Sequence, residues 1–272
     1  MKILRTLTNI LVLMVIFFNF TSCNKSDGYT RTDIVNPSNV FKGDRLRWLS
    51  EKVFFYNEEG FLTKIKDFGE MEISFEYQDV TRAVNEQRYV RMTIEDLGRD
   101  NRQTYDMEIG NNGFVKYCEQ TDTEGKIKKW NFEYTSEGYL SFFERKGRDG
   151  FATNLEYENG NIIKSSSSCE TGWRTCHTYY TSDEIIDPIE NMGGIMLYEE
   201  EFDVYMENMN YAFYAGLLGK ATRNLPVWQT HWGTWFDYEL SWTLNEDGYP
   251  TNFTAYTQYF VQDFSFIWEP IH

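Results

Sequence analysis

The stretch Pro226–Phe236, PVWQTHWGTWF, holds the side chains best suited to binding chemistry, with Trp228, Trp232 and Trp235 beside His231 and Gly233. A flat indole has a wide apolar face and one polar N–H at its edge. It can stack on a sugar ring while nearby carboxylates hold the hydroxyls. Tyr256 and Phe260, on the more polar face of the last hairpin, make a second aromatic patch. The competing expectation is that these tryptophans supply core area, packed under a helix or capping a sheet. Tryptophans this close along a strand should not all point the same way.

Catalytic chemistry has little to work with. His177, His231 and His272 are the only histidines, and neither HExxH nor GxSxG occurs. No CxxC pair supports a zinc site or a thioredoxin-type redox site. With 42 acids in the chain, some carboxylate pair will reach glycosidase spacing by chance, and none is singled out. The expectation is a non-catalytic protein with no cofactor and no metal. Cys169 and Cys176 flank the turn at Thr171-Gly172. Two readings stay open there: a disulfide across the hairpin, or two half-buried thiols. Cys118 would be left over and packed.

The first residues set the compartment. Lys2 and Arg5 precede an apolar run from Ile10 to Phe18, too short for the roughly 20 residues that span a bilayer. The run closes on Phe20-Thr21-Ser22-Cys23, which resembles the lipobox of bacterial lipoproteins. That resemblance implies a signal peptide over 1–22 and a lipid on Cys23. A polar tether over 23–45 and a single folded domain over 46–272 would follow. The leader carries two basic residues and no acid, leaving 24 Lys plus Arg against 42 Asp plus Glu and a net charge of −18. Such a chain repels nucleic acid and anionic lipid surfaces. Its partners are then the membrane, through the lipid, and a glycan or another envelope protein. The expected location is the outer membrane, with the periplasmic and surface faces both open.

The aromatic residues need a scaffold, and the sequence describes one. Met71, Ile73, Phe75 and Tyr77 alternate with polar residues, as do Tyr105, Met107 and Ile109, then Trp130, Phe132 and Tyr134, and late in the chain Tyr238, Leu240 and Trp242. Period two with one apolar face reads as half-buried strands. An acid or amide precedes glycine at Glu59-Gly60, Asn112-Gly113, Glu124-Gly125, Glu137-Gly138, Asn159-Gly160 and Asp247-Gly248. Glycine there takes positive φ cheaply, as a hairpin turn requires. One segment departs from this pattern. Over 195–218, Tyr198, Phe202, Tyr205, Met209, Phe213 and Leu217 share a helical face, and Gly219 and Pro226 follow as stop signals.

The hairpin unit resembles the YD repeats of bacterial cell-surface and toxin-shell proteins. Tyr56 to Gly60 and Tyr134 to Gly138 keep the spacing, with Asn57 and Thr135 where the repeat has aspartate. Gly216-Leu217-Leu218-Gly219-Lys220, Asn224-Leu225-Pro226 and Asp247-Gly248-Tyr249-Pro250-Thr251 together resemble a family of Bacteroidetes lipoproteins, a domain of unknown function with a porin-like fold. The resemblance implies a strongly curved antiparallel sheet or barrel-like body and supplies no catalytic residues.

The expected fold class is therefore all-β: about a dozen strands in a curved antiparallel meander or barrel-like body, with one amphipathic helical insertion over 195–218. A two-sheet sandwich is the alternative. A membrane barrel also alternates, but many strands here fall short of the ~9–11 residues needed to cross. Tyr and Trp also run along the strands, where a membrane barrel would gather them in girdles. Two function classes follow. One is an envelope-anchored module binding a glycan or peptide through aromatics in a concave face. The other is an envelope protein that meets a protein partner through a strand edge or the helix.

Overall fold

The computed structural model describes residues 40–41, 43–67, 71–77, 88–147, 149–169, 172–198, 204–232 and 237–270. The segment 1–22 expected as a signal peptide, Cys23, most of the expected tether and Trp235 lie outside the described residues. The strands are β1 (Arg45–Leu49), β2 (Lys52–Tyr56), β3 (Leu62–Asp67), β4 (Met71–Tyr77), β5 (Arg88–Asp96), β6 (Asn101–Ile109), β7 (Val115–Thr121) and β8 (Ile127–Tyr134). They continue as β9 (Leu140–Lys146), β10 (Phe151–Glu158), β11 (Asn161–Cys169), β12 (Gly172–Tyr179), β13 (Trp228–Trp232), β14 (Tyr238–Leu244), β15 (Pro250–Tyr256) and β16 (Val261–Glu269).

These strands pair in chain order and the last meets the first, with Arg45 opposite Glu269 and Leu46 opposite Trp268. The sheet is a closed antiparallel barrel, which sets aside the sandwich and exceeds the dozen strands expected. Turn chemistry accounts for the meander. All six turn glycines singled out by sequence sit at φ between 79° and 90°. A further feature concerns where the barrel begins: Phe41 already packs edge-on against Phe213, with ring centroids 5.5 Å apart. Asp44 donates its backbone N–H to the Tyr249 hydroxyl at 2.9 Å. The last residues assigned to a tether thus belong to the folded body.

Alternation divides each strand between two environments. Inside lie Ile65, Ile73, Met92, Tyr105, Met107, Trp130 and Phe143, all buried. Outside, ion pairs bridge neighbouring strands: Arg91–Asp106 at 2.7 Å, Lys116–Glu108 at 2.7 Å, Lys64–Glu72 at 2.6 Å and Lys164–Glu156 at 2.7 Å. A lipid-facing barrel has the opposite polarity, and each Lys or Arg at a bilayer midplane costs about 2–4 kcal/mol. This barrel is apolar within and charged without, so its outer wall is suited to water.

The interior is filled by the chain itself. The long connection between β12 and β13 enters the barrel, where Met206, Met209, Ala212, Phe213, Leu217 and Leu218 are buried against the wall. Residues 199–203, with Phe202, lie outside the described residues, and over the described part of 195–218 the expected helix is much shortened. In its place are a 3-10 turn over Glu207–Asn210 and one α turn, α1, over Tyr211–Tyr214. Glu207 at φ 48° and Gly216 and Gly219 at φ 75° and 88° interrupt any longer helix. Most of the segment's described apolar side chains recur because they pack into the interior, while Tyr205 stays exposed.

The plug is fastened through the hairpin turns. Lys220 N–H donates to Gly138 O and Arg223 N–H to Gly160 O, both at 2.9 Å, and Val115 N–H donates to Leu217 O at 2.9 Å. A Cβ on Gly160 would stand 2.7 Å from the Tyr139 hydroxyl, and one on Gly219 2.8 Å from Gly138 O, so neither site takes a side chain without displacement. Deeper in, the Glu207 carboxylate accepts from the inward-facing Arg145, which also lies over the Trp130 and Phe151 rings. Burial pulls the Arg145 pKa down and, with Arg145 nearby, that of Lys128 as well.

Candidate functional site

Register assembles the candidate face. On β13, Trp228, Thr230 and Trp232 point outward while Gln229 and His231 point inward, as period two demands. Trp228 lies opposite Tyr179 on β12 and Glu239 on β14. Glu239 lies opposite Tyr256 on β15, and Tyr256 opposite Val261 on β16. Tyr179, Trp228, Glu239, Tyr256 and Val261 thus form one row across five strands of the outer wall. Every member is exposed, Trp228 at 37% and Tyr256 at 40%. At the usual strand spacing, Trp228 and Tyr256 sit about 10 Å apart at the backbone with the Glu239 carboxylate between them.

Trp232 is four residues further along β13 on the same face, about 13 Å from Trp228, and is 72% exposed. It faces Thr175, and Trp173 follows outward on β12. On the other side of the row runs a polar one: Ser241 opposite Thr254 and Thr254 opposite Asp263. The Thr254 hydroxyl donates to Asp263 Oδ1 at 2.6 Å. Thr254 itself is buried, so the wall presents apolar ring faces beside the exposed Ser241 hydroxyl and the Glu239 and Asp263 carboxylates, a pairing that fits a polyhydroxylated ligand.

Of the candidates named from sequence, Trp228 and Tyr256 are brought into one row and Trp232 onto the same face. The expectation that the tryptophans pack as core is corrected for Trp228 and Trp232: residues four apart on a strand share a face, and this face is outside. The expected concave face is corrected too, since the plug occupies the interior and the aromatic row lies on the convex wall. Phe260 turns inward against Tyr238, with ring centroids 6.2 Å apart. Tyr179 and Glu239 escaped sequence reading. Tyr179 meets Trp228 only because β12 pairs with β13 across the whole plug, and Glu239 only through the register of β13 with β14, and no local pattern announces either.

The cysteines differ from one of their two readings. Cys169 pairs with Gly172 and Cys176 with Ser165, so the two cysteines lie four rungs apart. That is about 13 Å, beyond the roughly 7 Å limit of a disulfide. The hairpin disulfide therefore does not form, and the Cys176 side chain is a buried thiol. Its Sγ lies 3.7 Å from Nε2 of His231, its cross-strand neighbour. Both face inward, and Cys176 is 1% exposed. Burial drives the Cys118 thiol well above its ordinary pKa, which suits a packed and unreactive residue. Among the described residues no cluster of three His, Cys, Asp or Glu is arranged for a metal.

A family model described as a domain of unknown function (DUF4595) with porin-like fold matches residues 54–252. The chain belongs to this family. Two solved structures are similar to the chain in fold. One is a porin-like protein from Bacteroides uniformis, 18% identical, covering 84% of this chain and 95% of its own, with a TM-score of 0.61. The other is a porin-like protein from Bacteroides vulgatus, 12% identical, covering 84% of this chain and 100% of its own, with a TM-score of 0.57. No curated protein matches the chain. At these identities the likeness concerns the fold alone.

Proposed function

We propose that this DUF4595 protein is a non-catalytic binding module of the cell envelope, held to the outer membrane by a lipid on Cys23, that captures a neutral polysaccharide on the outer face of β12–β16. The observation that carries the reading is the exposed row Tyr179, Trp228, Glu239, Tyr256, flanked by the polar row Ser241, Thr254, Asp263. Exposed aromatics gathered on one wall, while other strands of the same barrel carry ion pairs, favour a ligand with apolar ring faces and hydroxyl edges. The net charge of the mature chain disfavours polyanionic glycans. The lipobox-like end of the leader supports the anchor.

Peptide capture by strand addition needs an open sheet edge, and the closed barrel offers none among its described ladders. The 195–218 segment, the other surface considered for a protein partner, has most of its described apolar residues inside the barrel. Both features weigh against those alternatives.

The test follows tryptophan fluorescence of the Asn24–His272 chain during titration with a panel of neutral polysaccharides. One member should give a saturable shift. Trp228→Ala should weaken that binding about tenfold, the equivalent of one lost aromatic stack, without loss of fold. A folded protein that binds no neutral polysaccharide overturns the proposal.

A further inference from the structure

On the inner side of β11–β13, behind the aromatic row, the wall and the plug leave a cavity of about 30 Å³. Its polar lining is Ser165, Thr178, Tyr180 and Gln229 from the wall side and Thr222 from the plug. The remainder is apolar, including Ile162, Met196 and Trp242, and no charged side chain contributes. Ser165 is 2% exposed and Gln229 4%. Neither Ser165 Oγ nor Gln229 Oε1 meets a hydrogen-bonding partner in the protein. Buried polar atoms in this condition are rare in folded proteins, and a bound small molecule is the common remedy.

The surrounding bonds fix what that molecule must do. Gln229 Nε2 donates to Thr178 Oγ1 at 3.1 Å, which turns Oε1 away from Thr178. The Tyr180 hydroxyl donates to Ile162 O at 3.0 Å and the Thr222 hydroxyl to Asn224 O at 2.9 Å, so both retain only acceptor capacity toward the cavity. Gln229 Oε1 needs a donor and the Ser165 O–H needs an acceptor. The ligand must be both donor and acceptor, and uncharged, because nothing here would compensate a buried ion. It must also be small: one water needs roughly 10–15 Å³ of such space, so the cavity accepts about two.

We propose that the cavity between β11–β13 and the plug is a water-binding site, in which about two ordered waters join Ser165 Oγ on β11 to Gln229 Oε1 on β13 across the inner side of the wall. The site is independent of the glycan reading and stands or falls separately. Crystals of the protein, at a resolution that shows ordered solvent, should contain solvent peaks within hydrogen-bonding distance of both atoms. A matched crystal under xenon pressure should take up no xenon there, since a wet polar cavity excludes it while a dry apolar one admits it. In Gln229→Leu crystals the peak at the amide should vanish while a peak beside Ser165 persists. Should that variant not fold, Ser165→Ala is the converse probe, losing the peak beside residue 165 alone. A cavity without density, xenon within it, or density larger than water would each overturn the proposal.

Discussion

The β3–β9 wall and the β12–β16 wall belong to one barrel but are built differently. In the first, β5 and β6 share the longest ladder, nine rungs from Arg88–Ile109 to Asp96–Asn101. The outer face carries ion pairs and the inner face is apolar. In the second, β13 and β14 share two rungs among the described residues. There the outer face carries exposed aromatics, and the inner face backs onto a polar cavity. The first wall has the features of a container for the plug and the second those of a surface for recognition. A closed barrel permits this division because hydrogen-bonded closure is distributed around the ring, so the outer face can vary from wall to wall without opening the sheet.

Disruption of the plug should expose the largest difference. Phe213→Ala removes a buried ring held by Phe41, Tyr198 and Tyr214. It should cost about 3–5 kcal/mol in denaturant unfolding. Arg145→Met leaves Glu207 without its guanidinium partner and should cost about 1.5–3 kcal/mol by the same measurement. Both effects should destabilise the barrel whether or not ligand is present.

Changes on the recognition wall should act in the opposite sense. Tyr256→Ala and Trp232→Ala should each alter unfolding free energy by less than about 1 kcal/mol, because both side chains are exposed. In the fluorescence titration Tyr256→Ala should weaken binding more than Trp232→Ala, since only Tyr256 shares the row of Trp228. Equal losses would move the platform along β13. On the other wall, Arg91→Ala breaks the exposed pair with Asp106 and should cost at most about 1 kcal/mol, with no effect on binding.

The smallest effect is visible through pH. Asn131 Nδ2 donates to Glu144 Oε1 at 2.6 Å, and this bond, ahead of Lys146, holds the Glu144 carboxyl below its usual range. Its folded pKa lies below its unfolded one. The associated stabilisation is therefore present above the ordinary carboxylate value of ~4.3 and is lost as pH falls through the folded value. Asn131→Leu should lower the melting temperature slightly at neutral pH, and the two melting curves should converge in acid.

How far the sequence could be read follows from the range of each interaction. Alternation at Tyr105, Met107 and Ile109 and the glycine turn at Gly138 are local, and both are found where the pattern placed them. The 195–218 segment misled because spacing alone cannot tell a long helix with one apolar face from a mostly irregular chain that packs into an interior. Met209 and Phe213 are four apart in both cases. The cysteine pairing failed for a related reason, since a one-hairpin register decides whether Cys176 meets Cys169 or Ser165.

The sequence by itself determined the all-β class, the meander order and the inward faces of most strands, because dihedral preference and period act within a few residues. The tertiary structure alone decided closure through β1 and β16, the threading of the plug, and the meeting of Tyr179, Trp228, Glu239 and Tyr256. Each of these depends on which strands become neighbours, and that is settled by burial of the whole interior rather than by any single stretch of chain.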